Sequence, residues 1–338
     1  MNTFTIHSNT LNKGLLELKE QLNAEAVSNF KEKQLTFNNV LGKGQIVGVA
    51  LKGRINYLEF NVTFKEDTQV LLGTETQNSL FFAYCVDGSL SHKFSEHSET
   101  IVLEPFQTAI MANSISPINV LEFKANEPTN VSIIGVYGMQ EADNPETIKY
   151  QLKETFIKDK KEDYRFVGSY NLKIADSIRQ LNNLKMNGMV RALMTEGLVH
   201  IILAMEIQQH HRDSLLKDEA LGSLNSRDRK MVKEVSDFIQ NYPETNKTVV
   251  DLASKVGISP AKLQEGFRLM HKTTVNDFIR NERINKAEML LKTTDFTISE
   301  IVYTIGFSSR SYFSKIFKEK YNCSPVEYKS KIKMAVTA

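Results

Sequence analysis

Cysteine is nearly absent from this sequence, whose 338 residues include only Cys85 and Cys323. The two lie far apart and neither belongs to a cluster of metal ligands, so a disulfide framework and a cysteine zinc site are both excluded. This cysteine usage fits a protein of the reducing cytoplasm. Cys85 lies in an apolar strand pattern, which favours inert packing over a nucleophilic role.

Long apolar runs are also lacking. The N-terminal segment is polar and does not have the apolar core of a signal peptide. The two best apolar stretches, residues 131–137 and 198–205, are too short to span a bilayer. We therefore expect a protein without a membrane partner.

Catalytic motifs are a third absence. No Ser/His/Asp order, phosphate-binding glycine loop or pair of carboxylates stands out as an active site. The candidate metal ligands of the strand-rich region are His92 and His97, with Glu96 and Glu99 nearby, and their spacing favours an exposed polar loop. The sequence therefore predicts no enzyme, no cofactor and no bound metal.

The charge balance is uneven along the chain. Residues 226–338 hold 20 basic and 13 acidic residues, a net +7, whereas residues 1–140 hold 10 and 14 and residues 141–225 hold 12 and 13. A basic surplus confined to the last third is expected of a module that binds a polyanion. A chance solvated face would give the same count, so the charge alone leaves both readings open.

The hydrophobic pattern divides the chain into three parts. Residues 1–140 contain short runs of β-branched and aromatic residues between turn signals, which predict a strand-rich domain built as a cupin-like barrel or a sandwich. Abundant Phe and Tyr and the lack of a catalytic motif suit a mostly apolar pocket, so we expect this domain to sense an effector. Residues 141–225 have apolar residues at helical spacing and predict a helical linker or dimerisation segment. Residues 226–338 predict an all-α domain, so the expected class is α+β.

Two local patterns refine this division. One strand alternates, with Tyr57, Glu59, Asn61 and Thr63 on one side and Leu58, Phe60, Val62 and Phe64 on the other. The helical segment carries an apolar stripe formed by Val190, Leu193, Met194, Leu198, Ile201, Ile202 and Met205. Such a stripe is typical either of core packing or of a dimer seam, and periodicity does not decide between them.

The last third contains an internal repeat. Residues 249–258 align with residues 298–307, and after one inserted residue Leu263 and Phe267 align with Phe313 and Phe317. Each copy predicts a short helix, a tight turn and a second helix, which together form a helix-turn-helix. A single copy is equally compatible with an ordinary helical hairpin, but two copies in a basic segment favour DNA binding.

Capping signals support this interpretation. Thr297 and Glu300 have the spacing of a capping box, and Gly306 suits the left-handed stop after the helix. In the first copy Ser259 is a natural N-cap with Pro260 at the first helical position.

A single helix is predicted between the two copies, over residues 276–292. Its length of roughly 25 Å suits a spacer that sets two reading helices in successive major grooves.

The second helix of each copy would leave a polar strip exposed. The predicted DNA-binding residues are Ala261, Lys262, Gln264, Glu265 and Arg268 in the first copy and Arg310, Ser311, Ser314, Lys315 and Lys318 in the second. Arginine and lysine donate to guanine acceptors, and glutamine pairs with adenine, so these strips suit the major groove.

Three phrases in this region resemble the AraC/XylS family of transcription regulators. They are GFSSRSYFSKIFK at residues 306–318, SPVEYK at 324–329 and RINKAEMLL at 283–291. The resemblance covers roughly residues 226–330 and implies that the strips above face DNA, apart from Arg268 and Lys318, which exposure alone suggests. Glu265 departs from the basic residue that is common in the family, so the second copy is expected to discriminate bases more strongly. Asn322 stands where the family usually has glycine, and asparagine tolerates the left-handed conformation.

A closer resemblance links the chain to regulators of siderophore uptake, the pyochelin-regulator-like subset. It rests on residues 262–267, Thr274, Val275 and the segment 172–208. It implies an effector connected with iron acquisition.

Two classes of function follow. The first is an effector-responsive activator that forms a homodimer and has promoter DNA, a small-molecule effector and RNA polymerase as partners; an apolar or amphipathic effector would suit the expected pocket. The alternative is an enzyme joined to a DNA-binding module, as in methyl-accepting repair proteins, but these need a metal-ligated cysteine set that two isolated cysteines do not supply. A third alternative is a regulator that is controlled by a protein partner.

Overall fold

The computed structural model describes residues 1–6, 10–73, 79–95, 98–139, 144–158, 162–215 and 224–330. It divides into two compact units, Met1–Leu221 and Gly222–Ala338. Sheets fill the first unit, and the described residues of the second are helical, which confirms the expected α+β class.

The strands and helices of the first unit follow in chain order. They are β1 Asn2–Ile6, α1 Leu11–Leu22, β2 Glu25–Asn29, β3 Glu32–Asn39, β4 Gly42–Leu51, β5 Ile55–Phe64, β6 Thr68–Gly73, β7 Ser79–Asp87, β8 Leu90–Lys93, β9 Ile101–Leu103, β10 Gln107–Asn113, β11 Ile118–Phe123, β12 Thr129–Val136, α2 Ile148–Phe156, β13 Tyr164–Tyr170, α3 Leu172–Asn182 and α4 Gly188–Leu215.

The strands form two sheets that pack as a sandwich. The smaller has the order β1-β6-β11-β8-β9 and the larger β13-β10-β7-β12-β5-β4-β3-β2. Their inner faces share one apolar core, in which the rings of Phe60 and Phe123 lie 5.6 Å apart across the two sheets. Of the two architectures expected, the sandwich is the one observed.

Helix α1 closes one end of this core. Its buried face consists of Leu11, Leu15, Leu18 and Leu22, spaced three and four residues apart. A Cβ at Gly48 would lie 2.4 Å from Leu15 Cδ1, so a larger residue at that position of β4 would force the buried Leu15 side chain to move.

The outer face of the larger sheet is polar yet partly covered. The predicted alternation of β5 is confirmed, because Leu58, Phe60, Val62 and Phe64 belong to the sandwich core. Tyr57 and Glu59 on the opposite side are also buried. They share a cavity lining with residues of α3 and α4, so these two helices form a third layer over the polar side of the sheet.

The middle segment also contains a strand that its pattern did not indicate. Strand β13 pairs antiparallel with β10, from Ala112 opposite Tyr164 to Gln107 opposite Tyr170. Aromatic and β-branched residues favour such an edge position, and the open edge of β10 supplies the hydrogen bonds.

The apolar part of helix α4 extends beyond residues 198–205. By length and composition it could cross a membrane, and only 28% of its most apolar window is buried. The expectation that the apolar stretches are too short is therefore wrong for this helix. Length and composition do not distinguish a membrane span from a helix with an apolar face for another protein surface.

Two predicted polar positions of the first unit differ in outcome. Cys85 is buried in β7, where burial raises the pKa of its thiol, as expected of an inert packing residue. His92 is not in an exposed loop: it lies buried in β8, its Nε2 is 2.9 Å from Asn119 Oδ1, and burial lowers its pKa to about 4. His97 and Glu96 lie outside the described residues. Within the described ranges, no three His, Cys, Asp or Glu side chains are grouped to hold a metal ion.

In the second unit, residues 325–330 are helical and follow six complete helices. They are α5 Ser226–Asn241, α6 Val249–Val256, α7 Pro260–His271, α8 Val275–Thr293, α9 Ile298–Thr304 and α10 Arg310–Tyr321.

Candidate DNA-binding interface

The helix pairs α6–α7 and α9–α10 are two copies of one helix-turn-helix. The predicted capping box of the second copy is present, since Thr297 Oγ1 accepts from Glu300 N at 3.2 Å and Glu300 Oε2 accepts from Thr297 N at 2.7 Å. The first copy has an equivalent box between Thr248 and Asp251. Matched capping at both positions explains why each first helix begins where it does.

The turn between the two helices of each copy needs a positive φ. Gly306 has φ +81°, and Gly257 occupies the equivalent position with φ +70°. A Cβ at Gly306 would also lie 2.6 Å from Glu244 O, so this glycine provides both the backbone conformation and the close approach. The second helices then start at N-caps Ser259 and Ser309, each of which accepts from a backbone N–H three residues later.

Each copy packs its predicted inner face. In the second copy the core contains Ile284, Ala287, Leu291, Ile298, Ile301, Val302, Ile305, Phe307, Phe313, Ile316 and Phe317. In the first copy Leu263 and Phe267 are fully buried, and the Phe267 ring lies 5.3 Å from that of Phe278 on α8. Tyr312, which precedes Phe313 on α10, is 45% exposed.

Helix α8 joins the two copies. Its 19 residues span about 28 Å, close to the predicted length and slightly shorter than one turn of B-form DNA. Halfway along α8, Arg283 donates to the carbonyl oxygens of Pro243, Thr245 and Gly306 at 2.8, 3.0 and 2.8 Å. No role was predicted for this residue from the sequence beyond its place in the family phrase. The available signal is an arginine one helical turn from the apolar Ile279 and Ala287.

The polar strip of the first copy is partly occupied by contacts within the unit. Ala261 and Arg268 are exposed. Lys262 Nζ lies 2.7 Å from Asp228 Oδ2 on α5, and this hydrogen bond lowers the pKa of Asp228. Gln264 Oε1 accepts from Val275 N at 3.4 Å, and Glu265 is half-buried.

The polar strip of the second copy is more open. Arg310, Ser311, Lys315 and Lys318 are exposed, and Ser314 is half-buried. Arg310 Nη1 makes one long contact of 3.4 Å with Ser299 Oγ. Arg310, Lys315 and Lys318 form no ion pair with any residue that the structure describes. Helix α10 therefore presents three cations that form no ion pair with a described residue. On α7, by contrast, Lys262 is bound to the carboxylate of Asp228.

Comparison with known proteins supports the repeat analysis. Residues 252–331 match the family model described as a helix-turn-helix domain. Histidine kinase P4 of Formosa agariphila is 30% identical over 110 residues, which make up 32% of this chain and 8% of that protein. The arabinose operon regulatory protein of Escherichia coli K12 is 26% identical over 144 residues, 42% of this chain and 48% of that protein.

A third relative is short. The regulatory protein SoxS of Escherichia coli K12 is 27% identical over 104 residues, 31% of this chain and 97% of that protein. The chain thus spans less than half the length of the first two relatives but nearly all of the third. The predicted helix-turn-helix domain is confirmed by these matches.

Proposed function

We propose that this chain, whose C-terminal unit is an AraC-type helix-turn-helix domain, regulates transcription by binding promoter DNA through α7 and α10. The observation that carries the proposal is the pair of exposed polar strips on two second helices that one spacer helix connects. The net charge of +7 over residues 226–338 supports it, because such a surplus attracts the phosphate backbone. A protein that consists almost wholly of this domain is named a regulatory protein, which gives further support.

The two copies are proposed to contribute unequally. Phosphate contacts position a protein on DNA, whereas base contacts provide specificity. Arg310 is free to donate to guanine, whereas Lys262 must first leave Asp228 to reach a base. We therefore assign the stronger base discrimination to α10.

The variant Arg310→Ala tests this assignment. Duplex sites are first selected from random DNA with the parent protein, and affinities are then measured at several salt concentrations. The variant is expected to lose about 1–3 kcal/mol, roughly 5- to 150-fold in affinity, and to lose base preference at one position. The parent affinity should fall steeply as salt increases.

Arg227→Ala, which removes an exposed arginine from α5, is the matched control and should keep the parent's base preferences. If Arg310→Ala selects the same sequences with the same affinity, α10 does not read bases through this residue. Salt-independent binding by the parent would reject the DNA proposal itself.

A homodimer is proposed to form through α4. Val190, Leu193 and Ile201 lie at helical spacing and are 53%, 62% and 51% exposed. Leu198 and Ile202 of the predicted stripe are buried within the unit, so α4 has one apolar side for its own unit and a second that faces outward. A continuous apolar helix face of this kind is typical of a protein contact.

Ile201→Glu should weaken self-association at least tenfold, because it would bury an unpaired carboxylate in the proposed seam. Analytical ultracentrifugation of the parent and the folded variant measures this. Val102→Glu, at another exposed apolar residue of the same unit, should sediment like the parent. Identical sedimentation of Ile201→Glu and the parent would exclude Ile201 from the seam, and a parent that pellets with lipid vesicles would instead assign α4 to a membrane.

The first unit is proposed to sense an effector and the protein to act as an activator with RNA polymerase. The resemblance of residues 262–267 to siderophore-uptake regulators supports target genes of iron acquisition. Effector control requires different effector affinities in two conformational states. An effector that binds but leaves both operator affinity and promoter output unchanged would remove the sensing role.

A further inference from the structure

A polar cavity of about 190 Å³ lies between the larger sheet of the first unit and the helices α3 and α4. Its floor is the outward side of β3, β4 and β5, and its roof is formed by the end of α3 and the first turns of α4. The sandwich interior, by contrast, is packed with apolar side chains. The polar cavity and the apolar core therefore lie on opposite sides of the larger sheet.

Two charged residues of the lining, Arg191 and Glu32, form an ion pair with each other. Arg191 donates through Nε and Nη2 to the two carboxylate oxygens of Glu32 at 2.9 and 3.0 Å. Its Nη1 donates to Leu184 O at 2.6 Å. Both side chains are mostly buried. This pair therefore ties β3 to α4 and contributes no net charge to the cavity.

Glu59 is the described carboxyl of the cavity lining that has no cationic partner. It is 4% exposed and accepts hydrogen bonds from Tyr57 Oη at 2.9 Å and Asn182 Nδ2 at 2.7 Å. Both donors are neutral, as is Asn130, a third hydrogen-bond partner of this carboxylate. Among the described lining residues Arg191 is the only lysine or arginine, and its guanidinium is bound to Glu32. A buried carboxylate without a cation is unfavourable, so the site is arranged to gain from a positively charged occupant.

Thr195 supplies a second, independent observation. This residue of α4 lines the cavity and is 2% exposed, and its Oγ1 has no hydrogen-bond partner in the described structure. A buried hydroxyl of this kind costs free energy until a partner reaches it. Gln34, Gln45 and Asn61 line the cavity as well, and Asn61 is exposed.

We propose that this cavity binds a small organic cation that carries hydroxyl groups. Its ammonium group pairs with the Glu59 carboxylate, and its hydroxyls bond to Thr195 Oγ1 and to the glutamine amides. The volume is similar to the roughly 150 Å³ of an engineered cavity that binds benzene, which limits the ligand to about six to ten non-hydrogen atoms.

Such a ligand would connect β5 to α4, the helix with the proposed dimer face. That regulatory consequence rests on the proposed function, whereas the binding itself does not. Binding can therefore be tested on its own, in the full chain.

The probe pair is 2-amino-1,3-propanediol and glycerol, which differ only by an ammonium in place of the central hydroxyl. Titration calorimetry and thermal unfolding of the full chain are followed with each. The amine is expected to bind at one site per chain and to raise the unfolding temperature saturably, whereas glycerol binds at least tenfold more weakly. A titration with sodium chloride at the same ionic strength serves as the control for salt effects.

Two variants locate the binding. Glu59→Gln should weaken amine binding at least tenfold without lowering the unfolding temperature, because it removes a buried charge and keeps an acceptor for Asn182. Glu25→Gln, at an exposed position of β2, should bind like the parent. Thr195→Val is nearly isosteric and removes no bond within the protein, so it should weaken binding several-fold even if Glu59→Gln fails to fold.

Equal binding of the two probes, or binding of neither, overturns the proposal. So does a Glu59→Gln protein that binds the amine like the parent. If a stable Thr195→Val protein binds the amine with parental affinity, the ligand does not bond to Thr195 Oγ1 and the proposed orientation of the ligand is wrong. None of these results alters the effect of Arg310→Ala on DNA, so failure here and failure of the proposed function are distinguishable.

Discussion

Arg283→Ala is expected to destabilise the C-terminal unit by about 2–4 kcal/mol, since the guanidinium makes charged hydrogen bonds to three backbone carbonyls. Those carbonyls belong to the loop after α5 and to the turn of the second helix-turn-helix. The guanidinium also lies 5.5 Å from the Phe307 ring centroid. One side chain of α8 thus holds together segments that are far apart in sequence.

Hydrogen exchange measured by mass spectrometry on the full chain localises the effect. Amides of α5, α8 and α9 should exchange faster in Arg283→Ala, and DNA affinity should fall with them because α10 is no longer fixed relative to α7. Arg283→Lys should be intermediate, because an ammonium cannot reach three carbonyls in the fork geometry.

The exposed-arginine variant Arg227→Ala should exchange like the parent. Unchanged protection in Arg283→Ala would mean that apolar packing alone holds the turn and the loop in place. Loss of DNA binding with unchanged protection would instead make Arg283 a DNA contact.

Glu206→Met should stabilise the first unit by about 1–3 kcal/mol at neutral pH, the usual cost of an unsatisfied buried polar group. Glu206 lies on α4, is 1% exposed, and neither of its carboxylate oxygens has a hydrogen-bond partner among the described residues. Burial raises its pKa well above the ordinary value. Tyr57 and Tyr84 lie within its electrostatic field, and their own pKa values are raised mainly by burial.

The gain in folding stability from Glu206→Met should increase with pH. A carboxyl whose folded pKa is raised binds more protons in the folded than in the unfolded state, so stability falls as pH rises from the unfolded pKa towards the folded one. The difference between Glu206→Met and the parent should therefore be smallest near pH 4 and larger at pH 7. Burial also raises the pKa of Glu59. Because Glu59 is present in both proteins, its contribution largely cancels in the difference.

Chemical unfolding at a series of pH values measures this difference. Glu25→Met, at an exposed glutamate, should show no such trend. A parallel pH dependence of the parent and Glu206→Met would mean that the carboxyl of Glu206 has partners in solution that keep its pKa near the ordinary value.

The C-terminal unit was predictable from sequence because its signals are local. The capping box at Thr297, the left-handed Gly306 and the buried periodicity through Ile301 and Phe317 act within a few residues of one another. A repeated pattern doubles the evidence for each signal. The ten strip residues were located by the same periodicity, since residues that do not face the core must face away from it.

The availability of those strip residues depended on tertiary structure. Nothing adjacent in sequence indicates that Lys262 meets Asp228, which lies 34 residues away on α5. Ion pairs and hydrogen bonds over such separations depend on how helices pack, which local propensity does not encode. The asymmetry between the two strips is therefore a result of packing in addition to the Glu265 departure.

In the first unit, the sequence by itself determined the alternation of β5, and only the tertiary structure decided what covers each side. Alternation places Glu59 opposite Phe60 but cannot tell solvent from a layer of helices, because burial depends on which distant element packs there. Helical periodicity likewise placed Ile202 and Ile201 on a common apolar stripe. The fold separated them, turning Ile202 to the unit's own core and Ile201 outward, since α4 has only one side on which the sheet and α3 can pack.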